Sequence, residues 1–176
     1  MMDALQDWID LRLAVSDLVG NREISDVFKR LTLMAETKLN TKLRTQWQID
    51  EFTPAWVGNE APLPADFLEL VCSDNRLRAV NGVLSRRPFY GIPEDVEYYA
   101  ALPTLTTSLT TSNWLLKRFS GVYLYAVAEK AAIHLTNAEL AVAMSQALEV
   151  EIKQVRVADE RARWGNVPVR VGGFAP

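Results

Sequence analysis

Apolar residues recur every three and four positions along two long stretches of the chain. Between 25 and 44 these are Val27, Phe28, Leu31, Met34, Ala35, Leu39 and Leu43, with Lys29, Arg30, Glu36, Lys38 and Lys42 falling mostly between them. That period predicts an amphipathic helix, with Ser25 as its cap and Asp26 at its positive end. Between 136 and 164, Leu140, Met144, Ala147, Leu148, Ile152, Val155, Ala158 and Ala162 repeat the pattern. Thr136 and Glu139 have capping-box spacing, and a helix from there to Trp164 would be about 40 Å long. A shorter stripe of Leu5, Trp8, Ile9, Leu11 or Arg12, and Val15 predicts a helix over 3–18, stopped by Gly20-Asn21. Trp114, Leu115, Phe119, Val122, Tyr125, Ala126, Ala128 and Ile133 predict one more over 112–135, capped by Ser112.

The period changes in the middle of the chain. Gln46 to Asp50 alternates as a half-buried strand does, and Phe67–Cys72 and Val96–Ala100 read as further strands. Pro54, Gly58, Asn59, Pro62 and Pro64 interrupt regular structure, and Asn81-Gly82 is a hairpin-turn signal. The Ser/Thr-rich stretch 104–112 suits an exposed link or an edge strand. After Gly165-Asn166, Val167, Val169, Val171 and Phe174 alternate with Pro168, Arg170 and Gly172-Gly173. An extended chain would send the three valines to one side. The expected fold is therefore mainly α. It has four helices, a small β element inserted over about 45–102, and an extended C-terminal tail. Residues 1–166 form a single domain and 167–176 the tail.

Composition narrows the function more than it names it. The 176 residues are 49% hydrophobic and 23% charged, which are globular values, and a net charge of −3 leaves no basic footprint for nucleic acid. One cysteine, Cys72, rules out an internal disulfide, and one histidine, His134, rules out Cys/His zinc clusters. The acidic start lacks the basic region of a signal peptide, and no apolar run approaches the roughly 18 residues of a membrane span. A soluble protein of a reducing cytoplasm is expected.

Candidate chemistry is thin. His134 and Cys72 lack the partners that nucleophilic catalysis needs and read as structural. Glu149, Glu151, Asp159 and Glu160 read as a solvated helix face paired with Lys153, Arg156, Arg161 and Arg163. Glu129 and Glu139 lack the Glu-x-x-His motifs of a di-iron pair. Arg86-Arg87 could contact a phosphate or a partner, although a surface turn is the commoner role. No nucleotide-binding motif occurs. No catalytic residue, cofactor or metal is expected. Five tryptophans exceed what a helical core of this size needs, and such a surplus suits packing between subunits.

The order of parts in Glu97–Leu135 is specific. Paired tyrosines (Tyr98, Tyr99) lead through Leu102, Pro103 and Leu105 to Asn113-Trp114-Leu115-Leu116. Tyr123-Leu124-Tyr125, Ala128, Glu129 and Ala132 follow. Upstream lies Leu63-Pro64-Ala65-Asp66-Phe67-Leu68-Glu69. This arrangement resembles the head-to-tail adaptor (connector) proteins of tailed bacteriophages and gene transfer agents.

The resemblance implies a structural virion protein at the head-tail neck, assembled in the host cytoplasm away from membranes. Adaptor subunits would associate as a ring, typically dodecameric, joining the portal protein to a downstream neck, stopper or tail protein. Genome DNA would pass through the ring without sequence-specific binding. Val167, Val169, Arg170, Val171 and Phe174 would dock the tail onto the portal. Phe89-Tyr90-Gly91-Ile92-Pro93 is at best a compressed version of the hairpin usual in such proteins, which leaves the distal partner open. The competing reading is a free helical-bundle regulator or chaperone-like protein that forms no ring.

Overall fold

The computed structural model describes residues 5–20, 22–71, 76–87, 94–105 and 112–164. Among them are five α-helices: α1 (Trp8–Leu18), α2 (Ser25–Lys42), α3 (Trp114–Arg118), α4 (Ser120–His134) and α5 (Ala138–Trp164). There are also six strands in two antiparallel sheets. The expected four-helix domain with a minor β element is thus incorrect; the fold is mixed α and β. The helix expected over 112–135 is two helices, because Phe119 leaves helical geometry at φ −138° and ψ 58°. Phe119 is neither glycine nor proline. Its ring lies 5.5 Å from that of Trp47, which also meets Trp114 at 5.8 Å, so the aromatic cluster accompanies the break.

Helix α4 is the centre of the helical body. Val122, Tyr123, Leu124, Ala126, Val127, Ala128, Ala131 and Ala132 are all buried, so the helix is covered on most sides. Its alanines allow close approach, and α1, α2, α3 and α5 all pack on it. Leu148, Ile152 and Val155 of α5 and Phe28, Leu31, Ala35 and Leu39 of α2 join it in one core. Trp8 and Leu11 add the first helix, and Trp8 meets the edge of Phe28 at 4.9 Å.

The helix starts differ in detail from the sequence expectation. Asp7 caps α1 by accepting from the amides of Ile9 and Asp10. Ser25 is the first residue of α2, and its amide donates to the Glu23 carboxylate. Asn113, not Ser112, caps α3 by accepting from the Leu116 amide. At α5 the Asn137 side chain accepts from the Leu140 amide, while Thr136 sits at φ 56° with its hydroxyl on the Leu135 carbonyl. The Thr136–Glu139 capping box does not form; the positive φ places Thr136 in the turn that joins α4 to α5.

The first sheet has the order β1 (Ile49–Phe52), β6 (Val96–Ala100), β3 (Phe67–Leu70). Gln46–Gln48, expected as strand, is a 3₁₀ turn held by Thr45 and Gln48. In central β6, Tyr98 lies between Phe52 at 5.4 Å and Phe67 at 5.7 Å and donates its hydroxyl to Asp66. Burial, then Asp66, pushes that phenol up to about 12. The second sheet has the order β2 (Glu60–Pro62), β5 (Val83–Arg86), β4 (Leu77–Val80), with Ala61 and Leu84 buried.

Asn81 and Gly82 join β4 to β5 with φ of 52° and 78°. Both central residues are left-handed, as the primed two-residue hairpin turn requires. A Cβ at Gly82 would meet nothing within 4 Å, so a substitution there is opposed by backbone conformation alone. Gly82→Ala is expected to cost about 1 kcal/mol of stability, and Gly82→Val more. Urea unfolding checks this; an unchanged midpoint for both variants would contradict the turn.

Candidate functional site

The most constrained polar site lies where α2, α4, the start of α3 and the stretch after β6 converge. Glu36 of α2 is 3% exposed. Its Oε1 accepts from the Leu105 amide at 2.9 Å and from the Tyr123 hydroxyl at 3.1 Å. The Tyr123 hydroxyl in turn accepts from Asn113 Nδ2 at 2.7 Å, and the same Nδ2 donates to the Pro103 carbonyl at 2.9 Å. Glu36 Oε2 makes no hydrogen bond among the described residues. Burial pushes the Glu36 carboxyl above its ordinary value, opposed by the Leu105 amide and the Tyr123 and Thr104 side chains. Burial also raises Tyr123, with Glu36 adding to it, so the phenol stays protonated.

This arrangement resembles a general acid site in having a perturbed carboxyl, but among the described residues its polar groups are turned on one another. All three members are buried, and each hydrogen bond joins separate pieces of chain. These bonds hold α2, α4, the start of α3 and the stretch after β6 to one another. Asn40 supplies a second clamp by accepting from the Leu102 amide at 2.9 Å.

A second cluster ties α5 to the sheet side. Asp159, 7% exposed, accepts from the Gln46 amide at 2.7 Å and pairs with Arg163 at 2.9 Å. Lys42 pairs with Glu149 and lowers that carboxyl below its ordinary value. Arg44 pairs with Glu69 at 2.8 Å and lies over the Tyr99 ring at 5.9 Å. A shallow groove of about 440 Å³ opens here among Lys42, Arg44, Tyr99, Arg156, Arg163 and Trp164. Trp164, the last residue of α5, lines this groove.

The residues singled out from sequence are scattered. Val167, Val169, Arg170, Val171 and Phe174 lie outside the described residues, as do Cys72 and Phe89–Pro93. His134 is exposed at the end of α4. Glu129 pairs with Lys38 of α2 and approaches Lys130 at 3.6 Å, whereas Glu139 is exposed in the first turn of α5. Arg86 lies over the Trp56 ring at 5.5 Å and donates to the Gly58 carbonyl at 3.1 Å, so it braces the second sheet. No group of three or more His, Cys, Asp or Glu among the described residues could hold a metal. No described helix is long and apolar enough to cross a membrane.

Sequence reasoning missed Glu36 because α2's period placed it with the polar residues. Its burial depends on Leu105 and Tyr123, which lie far along the chain. The family comparison covers that distant part. Residues 87–172 match the SU10 adaptor protein family. The match supports a phage head-tail adaptor, the family that the sequence resembles. The match runs from before β6 through α3, α4 and α5 and eight residues past Trp164. It includes Tyr123, Asn113 and Leu105 of the buried junction, while Glu36 lies before it. No curated protein matches the chain. The adaptor family is structural, and the match supports a structural role for this chain.

Removing the Tyr123 hydroxyl would leave both Asn113 Nδ2 and Glu36 Oε1 short of a partner. Tyr123→Phe is expected to cost about 1–3 kcal/mol, read from urea unfolding. The Glu36 carboxyl gives a separate signature. Its folded value is raised, so between the ordinary carboxylate value and the raised one the native state holds more protons than the unfolded state. Stability then falls as pH rises through that window and is fully present below it. Relative to Glu36→Gln, the wild type should gain stability as pH is lowered from neutral toward the ordinary carboxylate value. A constant difference between the two proteins across that range would contradict a raised Glu36.

Proposed function

We propose that this adaptor forms a ring, most simply a dodecamer, that joins the portal protein to the next neck, stopper or tail component. Genome DNA passes through its centre. The observation that carries the reading is the adaptor match over 87–172, which spans the central helix α4 and the long helix α5. A 27-residue α5 braced on α4 supplies a stiff wall element for such a ring. The net charge of −3 per copy suits a conduit that must not hold DNA. Assembly takes place in the host cytoplasm.

In this reading 1–166 is the adaptor body and 167–176 the portal-docking tail. Val167, Val169, Val171 and Phe174 supply the apolar contacts, and Arg170 meets a carboxylate or backbone carbonyl of the portal. The family match continues to residue 172, past the end of α5, which supports a role for that segment within the adaptor domain. Many tails engaging at once gain avidity without strong single contacts.

Deleting Val167–Pro176 is expected to leave helical circular dichroism and thermal melting nearly unchanged while reducing binding to the cognate portal at least tenfold, about 1.4 kcal/mol. Surface plasmon resonance on immobilised portal measures it. Wild-type affinity in the truncated protein would move the docking role to the helical body.

A further inference from the structure

The outer face of α5 carries an apolar line that no described residue covers. Ala143, Val150, Val157 and Trp164 follow one another at intervals of seven residues, and all are exposed. Val150 is 54% exposed, Val157 45% and Trp164 69%, with Val142 beside the first at 58%. Seven-residue spacing keeps side chains on one slowly drifting line of a helix. The opposite face holds Leu148, Ile152 and Val155, all buried in the core. Helix α5 is therefore apolar on two sides, one of them unpartnered among the described residues. Beside the outer line lies a groove of about 500 Å³ floored by Phe119, Val150, Val157 and Ala158, with Lys153 and Arg161 at its rim.

Two other helices expose apolar pairs that could fill such a groove in a second copy. On α2 these are Leu33 and Met34, 40% and 50% exposed, beside the exposed cations Lys29 and Arg30. On α1 they are Ile9 and Leu13, 50% and 56% exposed, one helical turn apart. Asp17 continues the α1 line one turn further, and Asp10 adjoins Ile9. The α2 face would bring its cations toward Lys153 and Arg161; the α1 face brings carboxylates to them. Charge complementarity selects α1.

We propose that the outer groove of α5 docks the Ile9–Leu13 face of α1 from the next copy of this chain, an inference that rests on the ring reading above. The two patches are different surfaces of one molecule. Such a contact is head-to-tail: each copy offers α5 to one neighbour and α1 to the other. Repetition closes into a ring when the rotation between copies divides a full turn. Val150 and Val157 receive Ile9 and Leu13, while Lys153 and Arg161 face Asp10 and Asp17.

The test uses the full chain, alone and with the purified portal protein encoded in the same genome. In a Cys72→Ser background, Leu13→Cys with Val150→Cys should yield a ladder of disulfide-linked multimers on mild oxidation. Neither single variant should pass the dimer. Asp17→Lys and Lys153→Asp should each weaken assembly on the order of fivefold at low salt, and the two together should restore it. Helical circular dichroism confirms that each exposed substitution folds. A wild type that forms rings by light scattering and electron microscopy, with no ladder and no response to charge reversal, overturns the α1–α5 contact and leaves the ring reading intact. A wild type that forms no higher assembly alone or on the portal overturns both.

Discussion

A buried carboxyl with only one oxygen hydrogen-bonded among the described residues is an expensive thing to fold around. Glu36 is tolerated because its Oε1 gathers the Leu105 amide and the Tyr123 hydroxyl, and Tyr123 in turn gathers Asn113. Those partners belong to α4, to the cap of α3 and to the chain leaving the first sheet. If Glu36 had an apolar side chain, Leu105 and Tyr123 would each lose a buried acceptor, and that loss costs more than an average hydrogen bond contributes. The junction thus sets the path by which the chain passes from sheet to helical body. Fixing position in this way agrees with the structural role of the matched family.

What could be read from the sequence was whatever repeats over many residues. Helices α2 and α5 run 18 and 27 residues, long enough for their apolar period to stand clear. Strands of three to five residues show little period: β3 and β6 were read near their places, whereas β2 left no strand signal and the start of β1 was set three residues early, in what is a 3₁₀ turn. Asn81-Gly82 was the exception, because its signal is the conformation of two residues and not a period. The interruption at Phe119 left no local mark at all. Nothing about Phe119 forbids a helix; the Trp47 ring it meets lies 72 positions earlier in the sequence. Caps were displaced by a single residue for a related reason. Ser112 and Asn113 are both competent, and the choice between them was made by Tyr123 and Pro103.

The candidate site shows the same division. The adaptor motif was legible because it is an ordered string of residue types, and the family match covers most of that string. The proposed docking residues Val167, Val169, Arg170, Val171 and Phe174 lie outside the described residues. The outer line of α5 was not noticed in the sequence. Val150 and Val157 were hidden by the stronger inward stripe, and only the burial of Leu148, Ile152 and Val155 shows which apolar face was left over.

The two small sheets carry a further consequence. Each has two edge strands, and an open edge is a template for pairing with another molecule. Here every edge is brief, interrupted or charged: β2 is three residues long and ends in Pro62, β4 is four residues long with Arg78 exposed, β3 changes register between Phe67 and Glu69, and β1 places Asp50 and Glu51 at exposed positions. A protein whose proposed working state gathers many copies at one vertex holds its own chains at very high local concentration. Blunted edges leave strand exchange little to build on under that crowding, so contacts between copies are left to helices, whose backbone groups are already satisfied internally.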